Sequence, residues 1–241
     1  MGPMSEPKVA LVFGARNVGR AVVADRLARG WRVVAVAKTE ATLARLAELH
    51  PEVATIEGDA SDPASVAAAL DVAAGLGSVE LIVNAVTAPP RDGSFGGGPV
   101  AEAPPERLGA WMNGFVPHAW EVLRAGGAAL AERGRGTLVQ VAGGSARRGL
   151  PGRGSWGAAQ AAARALTQSM SQELRPAGVH VALLIADGMI WTERNPLGDK
   201  DERRGLAPED VADAVAYLEA QSPRAWTHEL VLTPAGDTYT P

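Results

Sequence analysis

Short β-branched runs alternate with alanine-rich stretches along nearly the whole chain, and this alternation limits the possible fold more than any other feature. The runs are KVALVF (8–13), WRVVAVA (31–37), EVATIE (52–57), VELIVNA (79–85), GTLVQVA (136–142), GVHVALLIA (178–186) and HELVLT (228–233). They are continuously apolar rather than alternating, which marks strands covered on both faces. Between them the spacing predicts helices over 18–29, 40–49, 63–74, 105–132, 155–175 and 208–220. Pro63 in the first turn of SDPASV and the APED before 211 are helix-start signals. The pattern implies an α/β class protein, a doubly wound parallel sheet of about seven strands with helices on both faces. No stretch has the composition of a linker, so 1–241 is expected to be a single domain, with residues 1–7 disordered or an appended leader.

Composition removes several function classes. The 241 residues carry a formal net charge of -4, so nothing attracts a nucleic-acid backbone or an acidic membrane surface. There is no cysteine, which excludes disulfides, thiolate nucleophiles and cysteine-held metals and suits a reducing cytoplasm. The apolar runs are far too short to span a bilayer, and MGPMSEPK lacks the core of a signal peptide. A cytoplasmic protein without a metal site is expected.

Two irregular segments, 86–104 and 191–207, follow the carboxyl ends of strands, where open α/β sheets bind ligands. The first strand runs into FGARNVGRAVVADRLA, a glycine turn feeding a helix N-terminus, which offers N–H groups and a positive dipole end to a pyrophosphate. The usual dinucleotide fingerprint has three glycines. Here Gly14 and Gly19 are plain and Asn17 takes the middle place; asparagine is the best non-glycine residue at positive φ. The turn thus reads as the phosphate site of a Rossmann-type fold, the alternative being an unliganded β–α turn. After the second strand, AVAKTE has Ala37 and Lys38 where an NAD-selective fold carries an acid for the ribose 2′-OH. With Arg16, Lys38 could flank a 2′-phosphate, which favours NADP(H) over NAD(H); otherwise both are solvated surface charges. In EGDASDP, Asp59 is placed to hold the adenine amino group and Ala60 its ring.

Together these landmarks resemble the short-chain dehydrogenases/reductases, over essentially the full chain. The order runs GARNVG, GDASD, VNAV for the family's N-A-G, WMNGFVPHAW for its asparagine helix, VQVAGGSARRGLPGRGSWGAAQ for its Ser…Tyr-x-x-x-Lys region, and IADGMIWT for its P-G-x-x-x-T. The resemblance implies cofactor contacts at Gly14, Arg16, Asn17, Val18, Gly19, Lys38, Asp59 and Ala60. Further contacts fall at Asn84, Ala85, Val86, Gln160, Asp187, Gly188, Ile190 and Thr192. It also implies a homo-oligomer, a tetramer or dimer, whose interfaces involve the helices at 105–132 and 155–175 and the last strand.

The reaction centre departs from the family. Its serine precedes its tyrosine by thirteen positions, so serine, tyrosine and lysine become Gly143, Trp156 and Gln160, and Asn113 alone is kept. A divergent subgroup shares the incomplete glycine motif and a non-hydroxyl aromatic in place of tyrosine, but it generally keeps the lysine. Indole N–H donates but does not ionise usefully in water, so Trp156 is no proton donor; Gln160 can bind ribose hydroxyls without supplying charge. Replacement groups are few. Ser145 lies two positions past the serine place and could face the pocket or cap the turn. His118 reads as a packed histidine. Arg147 and Arg148 are solvated or bind an anionic substrate, and Asp187 stands for the family's proline near the nicotinamide carboxamide. Trp111, Trp120, Trp156 and Trp191 lie on segments bordering the cleft, where they pack the core or face a flat aromatic substrate.

Three readings stay open. One is an atypical NADPH-dependent reductase working on an activated or polycyclic natural-product substrate, with Asn113, Ser145, Trp156 and Gln160 as its reaction-centre residues. Another is a catalytically silent cofactor- or partner-binding protein. The third is non-redox chemistry, cyclisation or elimination, on the same scaffold.

Overall fold

The computed structural model describes residues 6–87, 95–193 and 195–237. Seven parallel strands form one sheet in the order β3-β2-β1-β4-β5-β6-β9: β1 (Lys8–Phe13), β2 (Arg32–Ala37), β3 (Ala54–Glu57), β4 (Ser78–Asn84), β5 (Gly136–Gly143), β6 (Val179–Ala186) and β9 (Glu229–Leu232). The helices between them are α1 (Val18–Ala28), α2 (Glu40–Leu49), α3 (Pro63–Leu76), α4 (Glu106–Glu121), α5 (Gly127–Arg133), α6 (Gly154–Leu174) and α7 (Pro208–Glu219). Every strand and helix expected from the apolar pattern is present, with ends shifted by no more than about two residues, the usual fraying of element boundaries. Residues 1–5 of the opening segment lie outside the described residues. Pro7 is already tied in, its carbonyl accepting the Ser78 N–H at 2.9 Å.

Alternate residues of each strand feed two cores, as a pleated strand requires. Ala10 and Val12 of β1 pack with α1, α2 and α7, whereas Val9, Leu11 and Phe13 pack with α3, α5 and α6. The central strands are buried on both faces. The edge strands differ: β3 alternates between half-buried and exposed, and β9 is half-buried throughout. An edge strand lacks a neighbour on one side, so an apolar run alone does not guarantee full burial.

Two features escape a periodicity reading. The helix expected at 105–132 is continuous only through a π-helical turn, Val122–Gly126, between α4 and α5. Five residues after Pro117, which cannot donate a backbone hydrogen bond, that wider turn resets the register. A two-stranded ribbon, β7 (Met189–Ile190) and β8 (Gly205–Leu206), folds the segment after β6 back beside the carboxyl end of the sheet.

Beneath that end, α4 is fastened to the sheet by a buried polar cluster. Asn84 Nδ2 donates to Gln140 Oε1 at 2.8 Å and to the His118 carbonyl at 3.3 Å, and it lies 3.4 Å from His118 Nδ1. Burial pushes the His118 imidazole down to about 4, so it is neutral at pH 7. The unfolded chain therefore binds the proton more readily, and His118 favours the folded state above pH 6.5 and loses that contribution as pH falls towards 4. At about 1.4 kcal/mol per tenfold difference in proton affinity, the loss approaches roughly 3 kcal/mol. His180, lowered by burial too, acts in the same direction. Urea unfolding at pH 7 and pH 4.5 should show a marked drop for the native chain and a smaller drop for His118→Gln. Equal drops would show that His118 does not carry the linkage.

Candidate active site

The crevice opens where β1 parts from its neighbours. Ala85 donates its N–H to the Phe13 carbonyl at 2.9 Å, while Gly14 turns the other way and donates to the Val36 carbonyl, also at 2.9 Å. Gly14 has φ +92°, and a Cβ there would fall 2.8 Å from the Ala85 and Val86 backbone. Gly19 donates to the Arg16 carbonyl at 2.9 Å, closing a tight turn in which Asn17 has φ +42° and ψ -106°. This is the first central position of a type II′ turn, normally glycine, and holding asparagine there costs about 1–3 kcal/mol. Asn17 is the only non-glycine residue at positive φ among the described residues. A Cβ on Gly19 would lie 1.8 Å from the Gly14 carbonyl oxygen, so the chain crosses itself here at backbone distance. Helix α1 then starts at Val18 with no acidic residue in its first turn, leaving its positive end uncancelled.

Past the carboxyl ends of β2 and β3 Lys38 and Asp59 meet each other. Lys38 Nζ lies 2.7 Å from Asp59 Oδ2, and Asp59 Oδ1 accepts from the Ser61 N–H at 2.9 Å and its hydroxyl at 2.7 Å. Partial burial works against the charge, yet the Lys38 ammonium and the Ser61 donors hold the Asp59 carboxyl below its usual range. Arg16 and Asn17 are exposed, and Ala60 is packed in the core below. Asn84 is wholly buried: besides its donor bonds, Oδ1 accepts from the Val86 N–H at 3.2 Å. It braces the floor. Ala85 and Val18 line the cleft directly.

The cleft encloses about 1320 Å³ over the carboxyl ends of β4, β5 and β6. Gly143, Ser145, Trp156 and Gln160 all line it. Trp156 and Gln160, one helical turn apart, share a face of α6 as their spacing requires. Gln160 Oε1 accepts the Gly143 N–H at 2.7 Å, which fixes the amide; its Nε2 is buried and has no partner among the described residues. Trp156 belongs to an aromatic cluster, with ring centroids 4.9 Å from Trp111, 5.3 Å from Phe115 and 5.8 Å from Phe95.

Asn113 is placed elsewhere. It is exposed and does not line the cleft; Phe115, two positions on, does. Residues two apart on an α-helix point about 200° apart, so only one of them can face the sheet. Trp120 is also exposed, whereas Trp111, Trp156 and Trp191 border the cleft or its wall. His118 is packed edge-on against Phe115, 4.9 Å between centroids.

At the end of β6, Asp187 is buried and gripped by Arg148 through both guanidinium nitrogens, Nη2 to Oδ1 at 2.9 Å and Nη1 to Oδ2. The carboxylate occupies the space above Gly144, where an added Cβ would fall 1.8 Å from Oδ1. Neither partner's sequence context signals this pairing, 39 positions apart; only their common place at the ends of adjacent strands does. Arg147 approaches Glu229 at 3.8 Å instead. Gly188 and Ile190 line the cleft, and Thr192 closes a turn with Asn195 through mutual backbone bonds of 3.0 Å. The neighbouring Glu193 reaches Arg20 of α1 at 3.2 Å and Arg45 of α2 at 2.7 Å, so the segment after β6 is tied to both helices. Among the described residues there is no cluster that could hold a metal ion, and no helix is long and apolar enough to cross a membrane.

The fold agrees with what known proteins show. Residues 8–202 match the family model for short chain dehydrogenases. An uncharacterized oxidoreductase of Staphylococcus epidermidis is 26% identical over 230 residues, covering 94% of this chain and 97% of that one. Among solved structures, an alcohol dehydrogenase from the archaeon Thermococcus sibiricus, complexed with 5-hydroxy-NADP, superposes with a TM-score of 0.80 at 23% identity, covering 98% of this chain and all of the other. A metagenomic short-chain oxidoreductase in complex with NADP gives 0.74 at 24% identity, over 95% and 97% of the two chains. The fold and the family match converge: the chain belongs to the short-chain dehydrogenase family of oxidoreductases.

Proposed function

We propose that this oxidoreductase is an NADP(H)-dependent reductase that works without a tyrosine–lysine proton relay, on an activated carbonyl or related acceptor. The observation that carries the reading is the Arg16–Gly19 turn. It keeps Asn17 at a costly φ of +42° and leaves the end of α1 open, a geometry that a chain with no nucleotide to hold has little reason to maintain. The residues fit the cofactor: a Cβ at Gly14 or Gly19 would fill the cradle, and the unpartnered Gln160 Nε2 supplies a buried donor for a ribose hydroxyl. The NADP carried by the metagenomic neighbour adds support. When bound, the dinucleotide supplies hydride.

The chain's own contribution is placement and exclusion of water. Loss of a general acid costs about 10²–10⁴ in rate, whereas orientation in the cleft survives that loss. A substrate with its own acidic hydroxyl, or an iminium-like acceptor, needs little proton help. A polycyclic natural product would suit the aromatic wall of Phe95, Phe115 and Trp156. The silent-scaffold reading draws on one observation, the close packing of Trp156 against Trp111 at the wall of the cleft. Function in the cytoplasm fits the absence of cysteine.

Selectivity for NADPH should come from Lys38, with Arg16 as a second cation. Lys38 is more than half exposed, so solvent screening limits its preference for the 2′-phosphate to about tenfold over NADH. Calorimetric titration should show that preference and its loss in Lys38→Ala, which also strips Asp59 of its counter-ion. Equal affinity for both nucleotides would count against the assignment, and failure of both to bind would favour the silent scaffold.

A homo-tetramer is the proposed assembly. Leu108 and Trp120 on α4 and Tyr217 on α7 are large apolar groups left at least half exposed, on two separate faces. Light scattering at micromolar concentration should give four 24.9 kDa chains. A monomeric mass would overturn this.

A further inference from the structure

We infer that Ser145 anchors the substrate, its hydroxyl donating to an uncharged carbonyl oxygen on a ring-bearing molecule that lies along Trp156 and Phe115; this deepens the reading of the cleft as a substrate site and rests on it. The observation comes from the stretch that leaves β5. Residues 143–148 read GGSARR, so three of them carry polar side chains. Arg148 is spent on the buried Asp187 as a neutral pair, and Arg147 lies 3.8 Å from Glu229. Ser145 differs. It is only 5% exposed and lines the cleft, yet its hydroxyl has no hydrogen-bond partner among the described residues. Nor is the oxygen sealed away. Among the described residues the sealed, unpartnered side-chain polar atoms are Trp111 Nε1, His118 Nε2, Gln160 Nε2, His180 Nδ1 and Trp191 Nε1. The little surface that Ser145 keeps therefore includes its oxygen, and that surface opens on the cleft.

The surroundings set what this hydroxyl can hold. The Gly143 N–H goes to Gln160 Oε1 at 2.7 Å, Asp187 covers Gly144, and Gln160 Nε2 is the donor assigned above to the ribose. A hydroxyl donates without carrying charge, and the Arg148–Asp187 pair beside it is neutral as a whole, so nothing at this floor repays the desolvation of an anion. A carbonyl on an apolar ring system gives up less hydration, and Trp156 and Phe115 line the same cavity. Ser145 also stands apart from the place of the missing relay. A Cβ on Gly143 would meet the Trp156 ring at 3.8 Å and Gln160 Oε1 at 3.9 Å, whereas one on Gly157 would meet the Ser145 carbonyl at 3.7 Å. Successive helical positions are about 100° apart, so an oxygen held at Ser145 is displaced from the one that residue 156 would serve. Ser145 holds and orients the substrate and supplies no relay.

The test compares 2-acetylnaphthalene with 2-ethylnaphthalene, which matches its shape but lacks the acceptor. Binding is measured by equilibrium dialysis against the full chain, with an NADPH titration on the same samples. Ser145→Ala should weaken binding of the ketone about fivefold, the return on one uncharged hydrogen bond, and leave the hydrocarbon's affinity unchanged. Urea unfolding of Ser145→Ala should match that of the native chain, because the hydroxyl completes no bond within the described fold. An equal loss for both probes, no loss for either, failure of both to bind, or a marked fall in stability would overturn the inference. Binding of NADPH without either naphthalene would sink this inference alone. Ketone binding that depends on Ser145, in a chain that takes up no NADPH, would support it and sink the cofactor reading alone.

Discussion

The structure depends on the parting of the chain above β1. Up to Phe13 the strand is hydrogen-bonded on both sides; beyond it the last bond on one side comes from Ala85 and on the other goes to Val36. From that point the flanking segments separate, and a crevice opens at the carboxyl end of a parallel sheet, the place where such sheets bind ligands. The close approaches follow. Gly14 must pass the Ala85–Val86 backbone, and Gly19 must pass under Gly14, so neither position has room for a side chain. The Asn84–Gln140–His118 cluster braces the floor from below with buried hydrogen bonds that leave Asn84 committed to structure.

The two halves of the cleft are built from different parts. On the nucleotide side the working parts are backbone N–H groups, a helix end and missing Cβ atoms, and only a few residue types satisfy them. On the reaction side the working parts are side chains, whose identity the backbone geometry does not dictate. Gly143 leaves its N–H to Gln160, Trp156 joins an aromatic cluster, and Asp187 fills the space over Gly144. The cleft is thus lined by rings on one side and by the Arg148–Asp187 pair on the other. A phosphate turn held under strain beside such a centre is the combination from which the proposed function is argued.

Much of this was legible in the sequence because it rests on local rules. Continuous apolar runs gave the strands, and Asn17 was readable as a positive-φ residue because few other side chains tolerate that region. The spacing of Trp156 and Gln160 placed both on one face of a helix. What failed to show depends on register or on distant partners. Asn113 rather than Phe115 was expected at the cleft, and a two-position difference on a helix turns a side chain almost to the opposite face. The π-helical turn after Pro117 has no periodic signature. Asn84 was expected at the cofactor, but its amide is spent on Gln140 and His118, which the sequence holds 56 and 34 positions away. Nor could the chain order reveal that Lys38 faces Asp59, or that Arg148 grips Asp187.

In the proposed function the proton relay is replaced as a whole rather than weakened at one position. The most direct measurement restores two of its groups together, Trp156→Tyr with Gln160→Lys, and follows NADPH-dependent reduction of simple unactivated ketones. No gain above the native chain is expected, because Gly143 has no hydroxyl and Phe115, not a polar group, lines the cleft from α4. A double variant that became a competent reductase of simple ketones would contradict the account and show an ordinary enzyme only lightly disabled.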